Sequence, residues 1–196
     1  MMRPVSKLSH LLRLATLALF LAAGSAQAWD LSQLMQDLAR HKGGHALFTE
    51  KKYLAVLDKP LSASGELFYS PPDRLEKRTL QPKPEYLLLD GDTLIVERGK
   101  QKYTLRLADR PEVVAFVDSI RGTLAGKREV LERSYALRLF GNEEHWTLNL
   151  LPSDTRIATL VSRINVSGSR NQVLSIEYLQ ADGDRMVMNI EPLDGK

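Results

Sequence analysis

Hydrophobic positions along this chain follow two different periods. Leu31, Leu34, Met35, Leu38 and Ala39 recur at helical spacing after Asp30, a residue suited to cap a helix N-terminus, and Gly43-Gly44 ends the run. From His45 the period falls to two. Leu61, Ala63, Leu67 and Tyr69 alternate with Ser62, Ser64 and Glu66, and Tyr103, Leu105 and Leu107 alternate with Lys102, Thr104 and Arg106. Asp90-Gly91-Asp92, set between two apolar runs, and Asp182-Gly183-Asp184 are hairpin signals, because Gly adopts the positive φ that tight turns need.

A second helical stretch interrupts the strands. Pro111 suits a first helical position, and Val113, Val114, Phe116, Val117, Ile120 and Leu124 make one wide apolar face; a shorter piece follows Gly126 at 129–133. Alternation resumes at Tyr135/Leu137/Leu139, Trp146/Leu148/Leu150, Ile164/Val166, Leu174/Ile176/Tyr178 and Met186/Met188/Ile190. Roughly ten strands in a meander, with one helix before and one inserted midway, predict a mainly β fold, an unclosed antiparallel β-barrel or strongly curved sheet covered by lid helices. Residues 86–89 and 94–96 are apolar on both faces, more than a one-sided sheet requires. Either the helices fill the sheet as an ordinary core, or they form a lid over a sheet too curved to be filled, leaving an apolar ligand cavity.

The start of the chain changes the charge argument. A basic opening with Arg3 and Lys7 precedes an apolar run at 14–23 and the small-residue segment Gly24-Ser25-Ala26-Gln27-Ala28. This pattern predicts a signal peptide over 1–28, cleaved after Ala28, and an exported, periplasmic domain over 29–196. Arg13 leaves the run short of the roughly 20 apolar residues that a membrane span takes. No Cys follows the run, so a lipid anchor is not expected and the mature chain is expected to be free in solution. Residues 1–28 hold Arg3, Lys7 and Arg13 and no acid, so the mature chain balances 24 basic against 24 acidic side chains. The basic character that would have pointed to nucleic acid belongs to the leader.

Candidate chemistry is sparse. About 168 mature residues suffice for one core, and the absence of Cys excludes disulfides and thiol chemistry. His41 and His45 stand four apart, but Gly43-Gly44 between them makes a shared helix face, and hence a zinc pair, improbable. Neither a Gly-x-Ser-x-Gly elbow nor a phosphate-cradling glycine loop is present. Acidic pairs such as Asp90/Asp92 and Asp182/Asp184 fall in turns, where Asp is expected for local reasons. No catalytic, cofactor or metal-binding residue is therefore assigned.

The first helix is followed by Phe48-Thr49-Glu50, Gly65-Glu66-Leu67-Phe68-Tyr69, Pro72-Asp73-Arg74-Leu75, a strand pair turning at Leu89-Asp90-Gly91-Asp92-Thr93-Leu94, and Trp146-Thr147-Leu148-Asn149-Leu150-Leu151-Pro152. In this order and spacing the segments resemble the periplasmic outer-membrane lipoprotein carrier family, LolA, as a divergent member. The resemblance implies an open barrel lidded by helices that shelters acyl chains and carries out no enzymatic reaction. It also implies an acylated lipid or lipoprotein cargo, an inner-membrane exporter as donor, an outer-membrane acceptor and a monomeric state. Two positions depart from the family pattern. Pro71 stands where a basic, lid-latching residue is typical, and Lys77 stands where an aromatic is typical.

The residues expected to line the cavity, chosen by apolar face, are Phe48, Leu67, Tyr69, Leu75, Leu88, Phe116, Val117, Ile120, Leu137 and Trp146. A register error of one residue would reverse any strand's set. Arg74 and Lys77 are candidates to meet an anionic head group of a glycolipid or other acylated product; the alternative for both is a charge on a solvated edge strand. The competing functional class is a module of the same fold that senses lipids and passes the signal to a protein partner.

Overall fold

A computed structural model describes residues 29–193. The expected leader, 1–28, with its cleavage site after Ala28, lies outside the described residues. Asp30 caps the first helix, α1 (Leu31–Ala39), by accepting a hydrogen bond from the Gln33 amide at 2.9 Å. Leu34, Met35 and Leu38 are its buried face. Six strands follow: β1 (Gly44–Tyr53), β2 (Leu61–Ser70), β3 (Arg74–Gln81), β4 (Glu85–Asp90), β5 (Thr93–Arg98) and β6 (Gln101–Arg106). A turn of 3-10 helix (Leu107–Asp109) leads into α2 (Pro111–Leu124) and the short α3 (Arg128–Leu131). The chain continues through β7 (Tyr135–Asn142), β8 (His145–Pro152), α4 (Thr155–Ala158), β9 (Val161–Ser169), β10 (Gln172–Gln180) and β11 (Arg185–Pro192).

All eleven strands form one sheet in the order β6-β5-β4-β3-β2-β1-β11-β10-β9-β8-β7, each pair antiparallel. The open antiparallel sheet with helices is thus the predicted architecture, with eleven strands for the ten or so expected. The first and last strands meet in the middle, where Phe48 pairs with Ile190 on one side and Gly65 on the other. The sheet does not close, because β6 and β7 are its two edges. The segment joining those edges is α2 with its flanking turns, so the lid is inserted where the barrel is open.

The two wings of the sheet are filled unequally. Over β7–β11 lies a large core in which Trp146, Leu148, Leu150, Ile164, Val166 and Tyr178 pack against Leu34, Met35 and Leu38 of α1. Over β3–β5 a small cluster, Leu89, Leu107 and Val117, gathers Leu75, Leu94, Val113 and Val114. Gly126, with φ +62°, turns the chain just after the C-cap of α2, and an added methyl there would strike the backbone of α1 at Met35 and Ala39. That close approach seats the C-terminal end of α2 on α1.

The larger core depends on one missing side chain. Gly168 on β9 pairs with Trp146 on β8, and a Cβ at this position would overlap the indole ring and the Gln172 carbonyl. The Trp146 indole N–H donates to the Arg170 carbonyl at 3.0 Å, so the ring cannot swing away freely. Gly168→Ala is expected to lower stability by about 2–3 kcal/mol through overpacking, measured as a lower denaturant midpoint at unchanged slope.

Candidate functional site

Between the two core clusters the lid does not reach the sheet. The result is an apolar cavity of about 320 Å³, at the small end of the ~300–1,000 Å³ typical of ligand pockets. Its roof is the face of α2 that carries Val113, Phe116, Val117, Ile120 and Leu124. Its floor is drawn from both wings: Leu67, Leu75, Leu87, Leu89 and Leu94 on one side, and Val173, Ile176, Met186, Met188 and Ile190 on the other. Four of the roof residues, Phe116, Val117, Ile120 and Leu124, fall at the i, i+1, i+4, i+8 positions of one helical stripe, which is why a single helix can present them all.

Of the residues expected in the cavity, Leu67, Tyr69, Leu75, Phe116, Val117 and Ile120 are brought together there. Leu88 is not, since strand alternation puts Leu87 and Leu89 on the concave face and turns Leu88 the other way. The run Leu87-Leu88-Leu89 offers no polar partner to reveal the parity. Leu137 and Trp146 sit within or against the packed core of the β7–β11 wing and do not line the cavity. Phe48 does not line the cavity either: it is 1% exposed, and the Lys77 ammonium lies over its ring at 4.7 Å from the centroid.

The two candidate head-group cations separate as well. Arg74 pairs with the exposed Asp90 at 2.6 Å on the parity opposite to Leu75, away from the cavity. Lys77 lines the cavity and pairs with Glu50 on β1 at 2.5 Å. Neither residue is on an edge strand, because β3 lies between β2 and β4. The Lys77 side chain crosses from β3 to β1 over Gly65 and Ala63, small residues of the intervening β2. Glu50 was not singled out by sequence reasoning; its place on the same strand parity as the apolar Phe48 was the available signal.

The lid is held on its two sides by different means. Towards the larger core, the Tyr135 hydroxyl donates to the Ala115 carbonyl at 3.2 Å, and the Phe116 and Tyr178 rings pack at 4.7 Å. Ser119 and Thr123, each 1% exposed, satisfy themselves on the helix by donating to the Phe116 and Ser119 carbonyls at 2.6 Å. Towards the smaller wing, Arg121 donates to the Gly91 carbonyl in the β4–β5 turn at 2.9 Å and to Asp118 at 2.8 Å. Arg121 and Asp118 line a polar cleft with Pro72, Asp73 and Asp92.

A family model described as outer membrane lipoprotein carrier protein LolA-like matches residues 23–189. The chain belongs to this LolA-like family. No curated protein is a significant match to its sequence. Among solved structures it is similar to a LolA superfamily protein from Nitrosomonas europaea, at 11% identity over 85% of this chain and 94% of that one, with a TM-score of 0.42. It is similar to LppX, a Mycobacterium tuberculosis lipoprotein, at 7% identity over 85% and 96%, TM-score 0.43. For MucB in the Pseudomonas aeruginosa MucA/MucB complex the identity is 15%, the coverage 82% of this chain and 57% of that one, and the TM-score 0.42. Family membership rests on the sequence match alone. Among the described residues no group of three or more His, Cys, Asp or Glu side chains converges to hold a metal. No described helix is long and apolar enough to cross a membrane.

Burial pushes the Tyr135 phenol up to about 12, with the Ser119 hydroxyl acting against the rise. The folded state therefore favours the neutral form. Stability from this group is complete below the ordinary Tyr value of 10.0 and is lost as pH rises through about 12. Denaturant midpoints measured from pH 8 upward are expected to fall beyond about pH 10, and Tyr135→Phe to flatten that fall while costing about 1 kcal/mol at pH 7 for the lost bond to Ala115.

Proposed function

We propose that this LolA-like protein is a periplasmic carrier that shelters the acyl chains of a lipoprotein or glycolipid and shuttles them from the inner towards the outer membrane. The observation that carries this reading is the cavity itself: apolar on floor and roof, and roofed by a helix that bridges the open side of the sheet. Acyl chains lose about 0.8 kcal/mol for each CH₂ left in water, so transit through an aqueous compartment needs a dry enclosure and no catalytic group. Donor and acceptor would be an inner-membrane exporter and an outer-membrane receptor that bind the monomeric, signal-cleaved protein transiently.

Loading requires that the lid leave the sheet and return, which needs two conformations of similar free energy. The attachment to the smaller wing is the one suited to release. It has only three buried apolar residues, with Leu75, Leu94, Val113 and Val114 half-buried around them, and one guanidinium bonded to a turn carbonyl. In this chain Pro71 replaces the basic residue that would latch the lid from the sheet side, and Arg121 supplies a cation from the lid side instead, into the cleft beside Pro72.

Native mass spectrometry of the protein purified from its own periplasm tests the carrier reading. Co-purified acylated cargo is the expected result. An empty protein in a stoichiometric complex with another protein would favour the sensing module instead. Arg121→Ala is expected to speed hydrogen exchange over 113–124 and the release of bound lipid by about tenfold, the equivalent of one charge-assisted hydrogen bond.

A further inference from the structure

The cavity wall contains a charged pair that apolar shelter does not call for. Glu50, 3% exposed, accepts from Lys77 at 2.5 Å, and its other carboxylate oxygen is approached by Lys52 at 3.4 Å. Both Glu50 and Lys77 line the cavity. Taking such a pair out of water offsets much of its mutual attraction, and well-packed apolar side chains at the two positions would hold the sheet about as well. A bare alkyl chain gains nothing from it either, because polar wall left without a partner is a penalty once the chain excludes water. Neither stability nor simple alkyl binding accounts for its presence.

The unused hydrogen-bonding capacity points to a ligand. A lysine ammonium has three N–H donors. Glu50 takes one, and the Phe48 ring face stabilises the charge from below at 4.7 Å. Both Glu50 oxygens are engaged by lysines, so the cluster of Lys52, Lys77 and Glu50 carries net positive charge. What it has left to offer, inside an apolar chamber, is a donor.

We propose that Lys77, held in place by Glu50, is a polar subsite that receives an acceptor oxygen at the head of an acyl chain, a carboxylate or an ester or amide carbonyl. The inference rests on the carrier reading and narrows its cargo to chains whose head enters the cavity with the tail. A charge held in an apolar wall makes the subsite selective: an acyl chain that brings the oxygen satisfies Lys77, and one that does not displaces water from the ammonium without replacing it. The aliphatic neighbours Leu67 and Leu87, which flank Lys77 across the β2 and β4 pairings, then take the first methylenes.

The test is displacement of a neutral fluorescent dye, N-phenyl-1-naphthylamine, by palmitate, methyl palmitate and hexadecane. It compares the unaltered protein, the double variant Glu50→Gln/Lys77→Met, which removes both charges of the pair from the cavity wall and leaves only the half-exposed Lys52 without its partner, and Lys77→Gln, which keeps Glu50 paired with Lys52. Both variants are expected to bind hexadecane as before or better and to lose about tenfold in affinity for palmitate, the effect of one charge-assisted hydrogen bond. An equal loss for methyl palmitate supports a carbonyl acceptor, and a loss confined to palmitate supports a carboxylate. Unchanged palmitate affinity in folded variants, or an equal loss for all three probes, overturns the subsite and leaves the carrier reading standing. Failure of the unaltered protein to bind any of the three overturns both.

Discussion

Everything in this molecule follows from a sheet that does not close. β6 and β7 are unpaired edges of the same eleven-stranded sheet, and the chain must cross from one to the other. Unpaired edges invite association, and covering them is the usual remedy. Here the crossing segment is α2, so one helix has to serve two wings at once. A helix with its side chains is only about 10–12 Å across. Packed firmly on the larger core through Ala115, Ile120 and Leu124, α2 meets the other wing through Val113, Val114 and Val117 around Leu89 and Leu107, and through Arg121 at the β4–β5 turn. The space it cannot fill between those contacts is the cavity.

The unequal wings explain why the two readings of the sequence, filled core and lidded cavity, each describe half of the structure. α1 supplies Leu34, Met35 and Leu38 to the β7–β11 wing and makes it solid. Among the described residues no comparable helix serves the β2–β5 wing, whose concave leucines are left to face the underside of the lid. The cavity is therefore a consequence of helix supply, and a chain with a second helix over the smaller wing would have an ordinary core there.

Much of this was legible in the sequence. Period-two alternation located the strands, Asp30 and Pro111 marked helix starts, and the wide apolar face at 113–124 identified the lid. Failures came where alternation was silent or one-sided. Leu87-Leu88-Leu89 is apolar throughout, so nothing local says which parity is concave; the register against Leu75 and Lys77 decides it. Leu137 and Trp146 have the right parity but stand on β7 and β8, the far strands of a wing that lines the cavity only from β10 and β11, and no local pattern tells the filled part of a sheet from the empty part. Arg121 and Asp118 read as the polar side of an amphipathic helix, and only the β4–β5 turn beneath them turns that side into a tether.

Glu50 and Lys77 show the same limit from the side of chemistry. In sequence they lie 27 positions apart, each among other charged residues, and each reads as a solvated strand charge. The β1–β2–β3 register brings them to one concave face, with only glycine and alanine between, so the pair can form across an intervening strand. Position then changes meaning. A lysine at the surface would be worth little, whereas a lysine facing an apolar chamber beside a buried carboxylate is, in the proposal above, what selects the ligand. The departure at Lys77 from the aromatic typical of the family is thus more than a loss of apolar area: it comes with Glu50, a buried carboxylate within reach of it. A chamber of this family lined by hydrocarbon alone can grade its cargo only by length and bulk, while one with a held ammonium in its wall can also grade it by the oxygen at the chain's head.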